Sequence, residues 1–100
     1  MSETGPVRVM VRNPSGLHVR PAAMFVRGVG GFHSTIRVTN VTRGTGPVDA
    51  KSIIAVLGLG VSAGHEIELT AEGADAAQAL DAIRALVEGG LGEDVGGGAH

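Results

Sequence analysis

The chain predicts an α+β fold, an open-faced two-layer β-sandwich with three helices on one face of a four-stranded, mainly antiparallel sheet. Three observations predict it. Segments that alternate apolar and polar residues interleave with segments of helical spacing, in the order β-α-β-β-α-β-α. The connections are short, which favours antiparallel neighbours over long parallel crossovers. All the helical segments carry apolar positions that need one shared core, which puts them on a single face of the sheet.

Each element has its own signal. Val7-Arg8-Val9-Met10-Val11-Arg12 alternates with period two and turns Val7, Val9 and Val11 inward. Asn13-Pro14-Ser15-Gly16 is turn chemistry. Ala22, Phe25, Val26 and Val29 then recur at helical spacing over about Val19 to Val29, with Pro21 in the first turn, where a missing N–H is harmless. Gly28, Gly30 and Gly31 are expected to stop this helix. Ser34 to Val41 alternates again. Arg43-Gly44-Thr45-Gly46 reads as a tight turn, and Pro47-Val48-Asp49 as a short returning strand with an exposed edge. Ser52 to Leu57 is a short helix with Ser52 as its N-cap. Glu66 to Thr70 is an amphipathic strand with Ile67 and Leu69 inward. Asp75 is expected to cap the last helix, whose stripe is Ala79, Leu80, Ile83, Leu86 and Val87.

The 100 residues make one domain, expected over residues 6–90, with a flexible stretch at 1–5 and a disordered Gly-rich tail at 91–100. Phe25 and Phe32 are the only aromatics, so a 43% hydrophobic chain must build its core from Val, Ile, Leu and Ala. The absence of cysteine excludes disulfide and thiolate chemistry. No segment approaches the roughly 20 apolar residues of a membrane span, and the first residues lack the basic and apolar regions of a signal peptide. A cytoplasmic protein is expected. A net charge of -2 argues against a nucleic-acid partner. His33, His65 and His100 have neither ligand spacing nor a carboxylate cluster, so no metal is expected. Gly28-Val29-Gly30-Gly31 lacks nucleotide-loop spacing, and no cofactor is expected.

The chemistry concentrates in Gly16-Leu17-His18-Val19-Arg20-Pro21-Ala22, where the first strand hands over to the first helix. A helix N-terminus presents unpaired N–H groups and a partial positive charge, which favour anions. Arg20 adds a planar donor fork suited to phosphate oxygens. A neutral imidazole at His18 can attack phosphorus in line, and the labile nitrogen–phosphorus bond lets the group be passed on. Ser15, Gly16, Val19 and Pro21 complete the supporting loop. Gly16 is expected to leave room for a partner, and Pro21 to stiffen the first turn. The plain alternative is a solvated His and Arg on an ordinary surface.

That loop resembles the active-site loop of HPr, the histidine phosphocarrier family of the phosphoenolpyruvate-dependent sugar phosphotransferase system. Lys51-Ser52-Ile53-Ile54-Ala55-Val56-Leu57-Gly58-Leu59-Gly60 is similar to the family's second motif, a helix bearing a serine. The resemblance covers about residues 5–90. It implies that His18 carries the phosphoryl group on Nδ1 and that Arg20 stabilises it. It implies enzyme I as donor, IIA domains of sugar permeases as acceptors, and Ser52 as the target of a regulatory serine kinase in some bacteria. Val19 stands where most members have alanine. The first motif also resembles that of the nitrogen-related paralogue.

Val19, Ala23, Met24 and Arg27 on the first helix, with Ile53, Ile54 and Leu57 on the second, form a candidate docking surface. Six residues make little more than a turn and a half, so the three apolar side chains of the second helix cannot all face one core. A monomer that diffuses between partners and is a substrate of the relay, not a catalyst, is the resulting expectation. Two rivals are a regulatory interaction protein acting through Ser52 and a small α+β ligand-binding module in which His18 is dispensable.

Overall fold

The computed structural model describes residues 4–93. Its elements follow the expected order: β1 (Thr4–Met10), α1 (Val19–Gly30), β2 (Thr35–Asn40), β3 (Thr45–Asp49), α2 (Ile53–Gly58), β4 (Glu66–Glu72) and α3 (Ala76–Glu88). The strands form one sheet in the order β1-β4-β2-β3, and every neighbouring pair is antiparallel.

The period-two pattern fixes the register, because a slip by one residue would turn every apolar side chain to the wrong face. Val9 stands opposite Ile67, Val7 opposite Leu69, and Val38 and Ile36 opposite Leu69 and Ala71. Ile67, Leu69, Ile36 and Val38 are fully buried under the helices. The intervening residues occupy the open face, where Arg8 pairs with Glu68 at 3.0 Å and with Glu66 at 3.7 Å. These exposed ion pairs contribute little to stability.

The helices close the core. Phe25, Val29 and Ala22 of α1 meet Ala79, Leu80, Ile83 and Val87 of α3, with Val56 entering from α2. α1 runs through Gly28 and Gly30, two of the three glycines expected to stop it, and ends at the third, Gly31. A Cβ on Gly28 would lie 2.7 Å from Leu86 Cδ2. The glycine therefore permits close approach of α1 and α3, and packing overrides its weak helical propensity.

Both ends of the ordered chain extend past the expected boundaries. Thr4, expected to be flexible, already pairs with Ala71 in β1. At the other end, residues 91–93 are not part of a tail. Gly90, Leu91 and Gly92 take φ values of 93°, 52° and 86°, three consecutive left-handed residues that fold the chain back from α3. This return buries Leu91 to 2% exposure. One apolar residue between glycines carries no periodicity, which is why composition alone reads it as unordered. Residues 1–3 and 94–100, the rest of the two expected flexible ends, lie outside the described residues.

Asp75 occupies the N-cap position of α3, yet its side chain makes no cap hydrogen bond. Its carboxylate instead accepts from the backbone N–H groups of His33 at 2.8 Å and Ser34 at 2.9 Å, and from the Ser34 hydroxyl. It thus staples the α1–β2 connection to the β4–α3 connection. The Ser34 hydroxyl, with the His33 amide next, lowers its pKa to about 2.

Two outcomes test these packing assignments. Leu91→Ala should lower the unfolding free energy by about 2–4 kcal/mol in urea denaturation, as expected for a buried leucine and not for a tail. The Asp75 contribution is fully present above the ordinary carboxylate value of 3.8 and disappears as pH falls towards about 2. Asp75→Asn should therefore lose stability at neutral pH and show a flatter stability profile between these values.

Candidate functional site

Leu17 is the anchor from which the site is built. It is 2% exposed, and its N–H donates to the Val61 carbonyl at 3.0 Å. Burying Leu17 turns the next residue outward, so His18 is exposed at the N-cap of α1. His18 has extended backbone (φ -75°, ψ -175°), and its side chain makes no capping bond. Its carbonyl accepts from Ala22 N–H at 2.8 Å, which starts the helix. The N–H groups of Val19 and Arg20 fall in the first turn, where α-helical geometry offers no intrahelical acceptor, and Pro21 has none to donate. The imidazole therefore stands at the positive end of a 12-residue helix, two residues from the exposed Arg20.

Gly16 serves packing and not the expected partner access. It is buried with φ +57°, and an added Cβ would lie 2.7 Å from Ser62 Cα. The loop thus rests directly on the 61–62 backbone. That backbone is itself secured. Gly64 N–H donates to Val11 O at 2.7 Å, and Val11 N–H to His65 O at 2.9 Å. His65 Nδ1 accepts from Ser62 N–H at 3.1 Å and meets Asn40 Nδ2 at 3.2 Å. A backbone N–H can only donate, so Nδ1 is the acceptor and the ring proton resides on Nε2. His65 thereby holds the platform beneath the loop.

Two supporting residues escaped the sequence reading. Asn13 is fully buried, and its Nδ2 donates to Gly16 O at 2.7 Å and to Glu93 Oε1 at 3.1 Å. Ser15, half-buried, donates its N–H to the same Glu93 oxygen at 3.0 Å. The Ser15 amide, then the Asn13 side chain, hold the Glu93 carboxyl below its ordinary pKa. Asn13 was legible as a turn former, but nothing in the local pattern marked Glu93.

The candidate docking residues divide by exposure. Val19, Met24 and Ile54 are exposed at 65%, 38% and 77%, and Arg27 is also exposed. Ala23, Ile53 and Leu57 are half-buried, and Ile53 and Leu57 pack against the core. Arg20, Pro21, Ala23, Met24 and Arg27 line one groove of about 460 Å³, closed on its far side by Leu91, Gly92 and Glu93. Ile53, Ile54 and Leu57 lie on α2, outside that groove. Ser52 caps α2, its Oγ accepting from Ala55 N–H at 3.2 Å. Among the described residues no three His, Asp or Glu side chains cluster as metal ligands, and no helix is long and apolar enough to cross a membrane.

Comparison with known proteins gives this arrangement its place. The family described as "PTS HPr component phosphorylation site" matches residues 7–89. The chain belongs to the HPr family. Among its HPr relatives, the phosphocarrier protein HPr of Streptomyces coelicolor is 42% identical over 86 residues, covering 86% of this chain and 90% of that protein. The multiphosphoryl transfer protein of Escherichia coli O157:H7 is 49% identical over 85 residues, 84% of this chain, which spans only 22% of that longer protein. The crystal structure of HPr-C-His from Thermoanaerobacter tengcongensis superposes with a TM-score of 0.82 at 40% identity, covering 95% of this chain and all of that one. The likeness extends over the sheet, the three helices and their order, as the HPr-like sequence motifs implied. HPr is a phosphocarrier of the phosphotransferase system, and phosphoryl relay is the function of this family.

Gly16→Ala tests the platform. The strained backbone and the collision with residues 61–62 should lower stability by about 2–4 kcal/mol, and the His18, Val19 and Arg20 amide resonances should shift with it. Unchanged stability and spectra would contradict the packing role.

Proposed function

We propose that His18 is the residue of this HPr-family chain that carries the phosphoryl group, received from enzyme I and delivered to IIA domains of sugar permeases. The observation that carries the proposal is the exposed, uncommitted imidazole at the start of α1, close in sequence to Arg20 and inside residues 7–89, over which the HPr family matches. The Nδ1 lone pair of His18 attacks phosphorus as the donor's phosphorus–nitrogen bond breaks and the donor imidazole leaves. Delivery is the reverse step onto an acceptor histidine. The first-turn N–H groups and the Arg20 guanidinium favour the dianionic product.

The chain acts as a substrate of its partners and not as a catalyst in its own right. An exposed site suits this, since each partner must bring its own active site to the ring. Val19, the next residue in the chain after His18, and Met24 and Ile54 supply exposed apolar contact area, and Arg27 a charge for acidic partner residues. We place the chain in the cytoplasm, as a monomer, without cofactor or metal. Delivery to the nitrogen-related relay is the second reading, since the loop residues suit either branch. The Ser52 hydroxyl is accounted for by its cap bond; modification by a kinase would add charge at the start of α2.

Incubation with phosphoenolpyruvate and enzyme I should label the chain with an acid-labile phosphoryl group, and His18→Ala should abolish it. Arg20→Ala should still accept label, with kcat/KM reduced about 10- to 100-fold, the equivalent of one charge-assisted contact. Full labelling of His18→Ala would overturn the proposal.

A further inference from the structure

The chain does not leave the site when α3 ends. Gly90, Leu91 and Gly92 carry it back through three left-handed residues, and Leu91 pins the turn in the core. Gly92 lies against Met24 of α1, where an added Cβ would be 2.7 Å from the thioether sulfur. This course brings the Glu93 carboxylate under the loop that precedes His18. One oxygen, Oε1, accepts from Ser15 N–H at 3.0 Å and from Asn13 Nδ2 at 3.1 Å.

Those two donors control the approach to α1. Asn13 Nδ2 also donates to Gly16 O, and Ser15 O accepts from His18 N–H at 3.2 Å. The side chain of Asn13 is fully buried, and its Oδ1 finds no partner. Its orientation therefore rests on what its Nδ2 group binds. A single anionic acceptor thus joins the turn at Asn13, the peptide at Ser15 and, one bond further, the backbone of His18. Hydrogen bonds to a charged acceptor are the stronger kind, and Glu93 supplies two of them across a sequence separation of 80 and 78 residues.

We infer that Glu93 is a positioning residue for phosphoryl transfer, holding the Asn13–Gly16 turn so that the His18 ring is presented at the start of α1. This inference rests on the reading of His18 as the phosphoryl carrier. It assigns the Gly90–Glu93 segment to the site, as the third support of the loop beside the 61–65 platform and α1. The same Ser15 and Asn13 donors, with a smaller contribution from the Arg20 charge, hold the Glu93 carboxyl below its ordinary pKa.

The test compares Glu93→Ala with Glu93→Gln in the full chain. Glutamine keeps a carbonyl acceptor for Ser15 and Asn13, whereas alanine removes it. In the unphosphorylated chain, Glu93→Ala should shift the Ser15 amide and Asn13 side-chain amide resonances and speed Ser15 amide exchange about tenfold, and Glu93→Gln should restore most of both. With enzyme I and phosphoenolpyruvate, Glu93→Ala should lower kcat for His18 labelling about 3- to 10-fold with little change in KM, and Glu93→Gln should recover it. Thermal midpoints measured alongside separate this from general loss of fold. Wild-type resonances and kinetics in Glu93→Ala would overturn the inference. So would equal defects in both variants, which would assign the effect to charge alone. A wild-type chain that takes no label would defeat the His18 reading, while the amide measurements would still decide whether Glu93 holds the turn.

Discussion

The site depends on one backbone contact, in which Leu17 donates to the Val61 carbonyl while Gly16 lies flat on residues 61–62. Everything that makes His18 chemically available follows from it. Leu17 is drawn into the core, so the next side chain faces outward. The chain then enters α1 with His18 at the cap, and two first-turn amides remain for an anion. A side chain at position 16 would separate the loop from its platform, which is why glycine stands there.

The rest of the fold can be understood as support for that contact. β4 is the central strand between β1 and β2, and it begins directly after the platform. Val11 ties the end of β1 to His65, and Asn40 ties the end of β2 to the same ring. Three strands therefore converge under a loop that itself contains no regular structure. Packing of α1 against α3, close at Gly28, fixes the direction in which the helix dipole points. A rigid base beneath an exposed side chain suits the phosphoryl relay of this family. Loops held by a scaffold are where such chemistry usually resides.

The sequence made the architecture legible where periodicity is strong. Ile67 and Leu69 against Glu66 and Glu68 placed β4 and its faces, and Ala79, Leu80, Ile83 and Val87 placed the stripe of α3. The start of α1 was legible from the change of period and from Pro21, and the structure leaves His18 and Arg20 exposed there. What stayed hidden was long-range. Asp75 looked like a helix cap, since a local rule applies, but its carboxylate is taken by His33 and Ser34 more than 40 residues away. Gly28 looked like a stop, since propensity is local and the Leu86 contact is not. Gly16 was read as open space for a partner because no sequence rule reports the backbone packed against it. Leu91 and Glu93 looked like a tail, because a left-handed return has no periodic signature.

We propose that His18 is the imidazole presented for phosphoryl transfer, whereas the His65 ring is held by Ser62 N–H and Asn40. The most direct measurement is a long-range proton–nitrogen spectrum of the 15N-histidine-labelled chain before and after incubation with phosphoenolpyruvate and enzyme I. The Nδ1 resonance of His18 should move and gain coupling to phosphorus, while His65 keeps its Nε2–H pattern. Phosphorus coupling at any other histidine, or no change at His18, would contradict it.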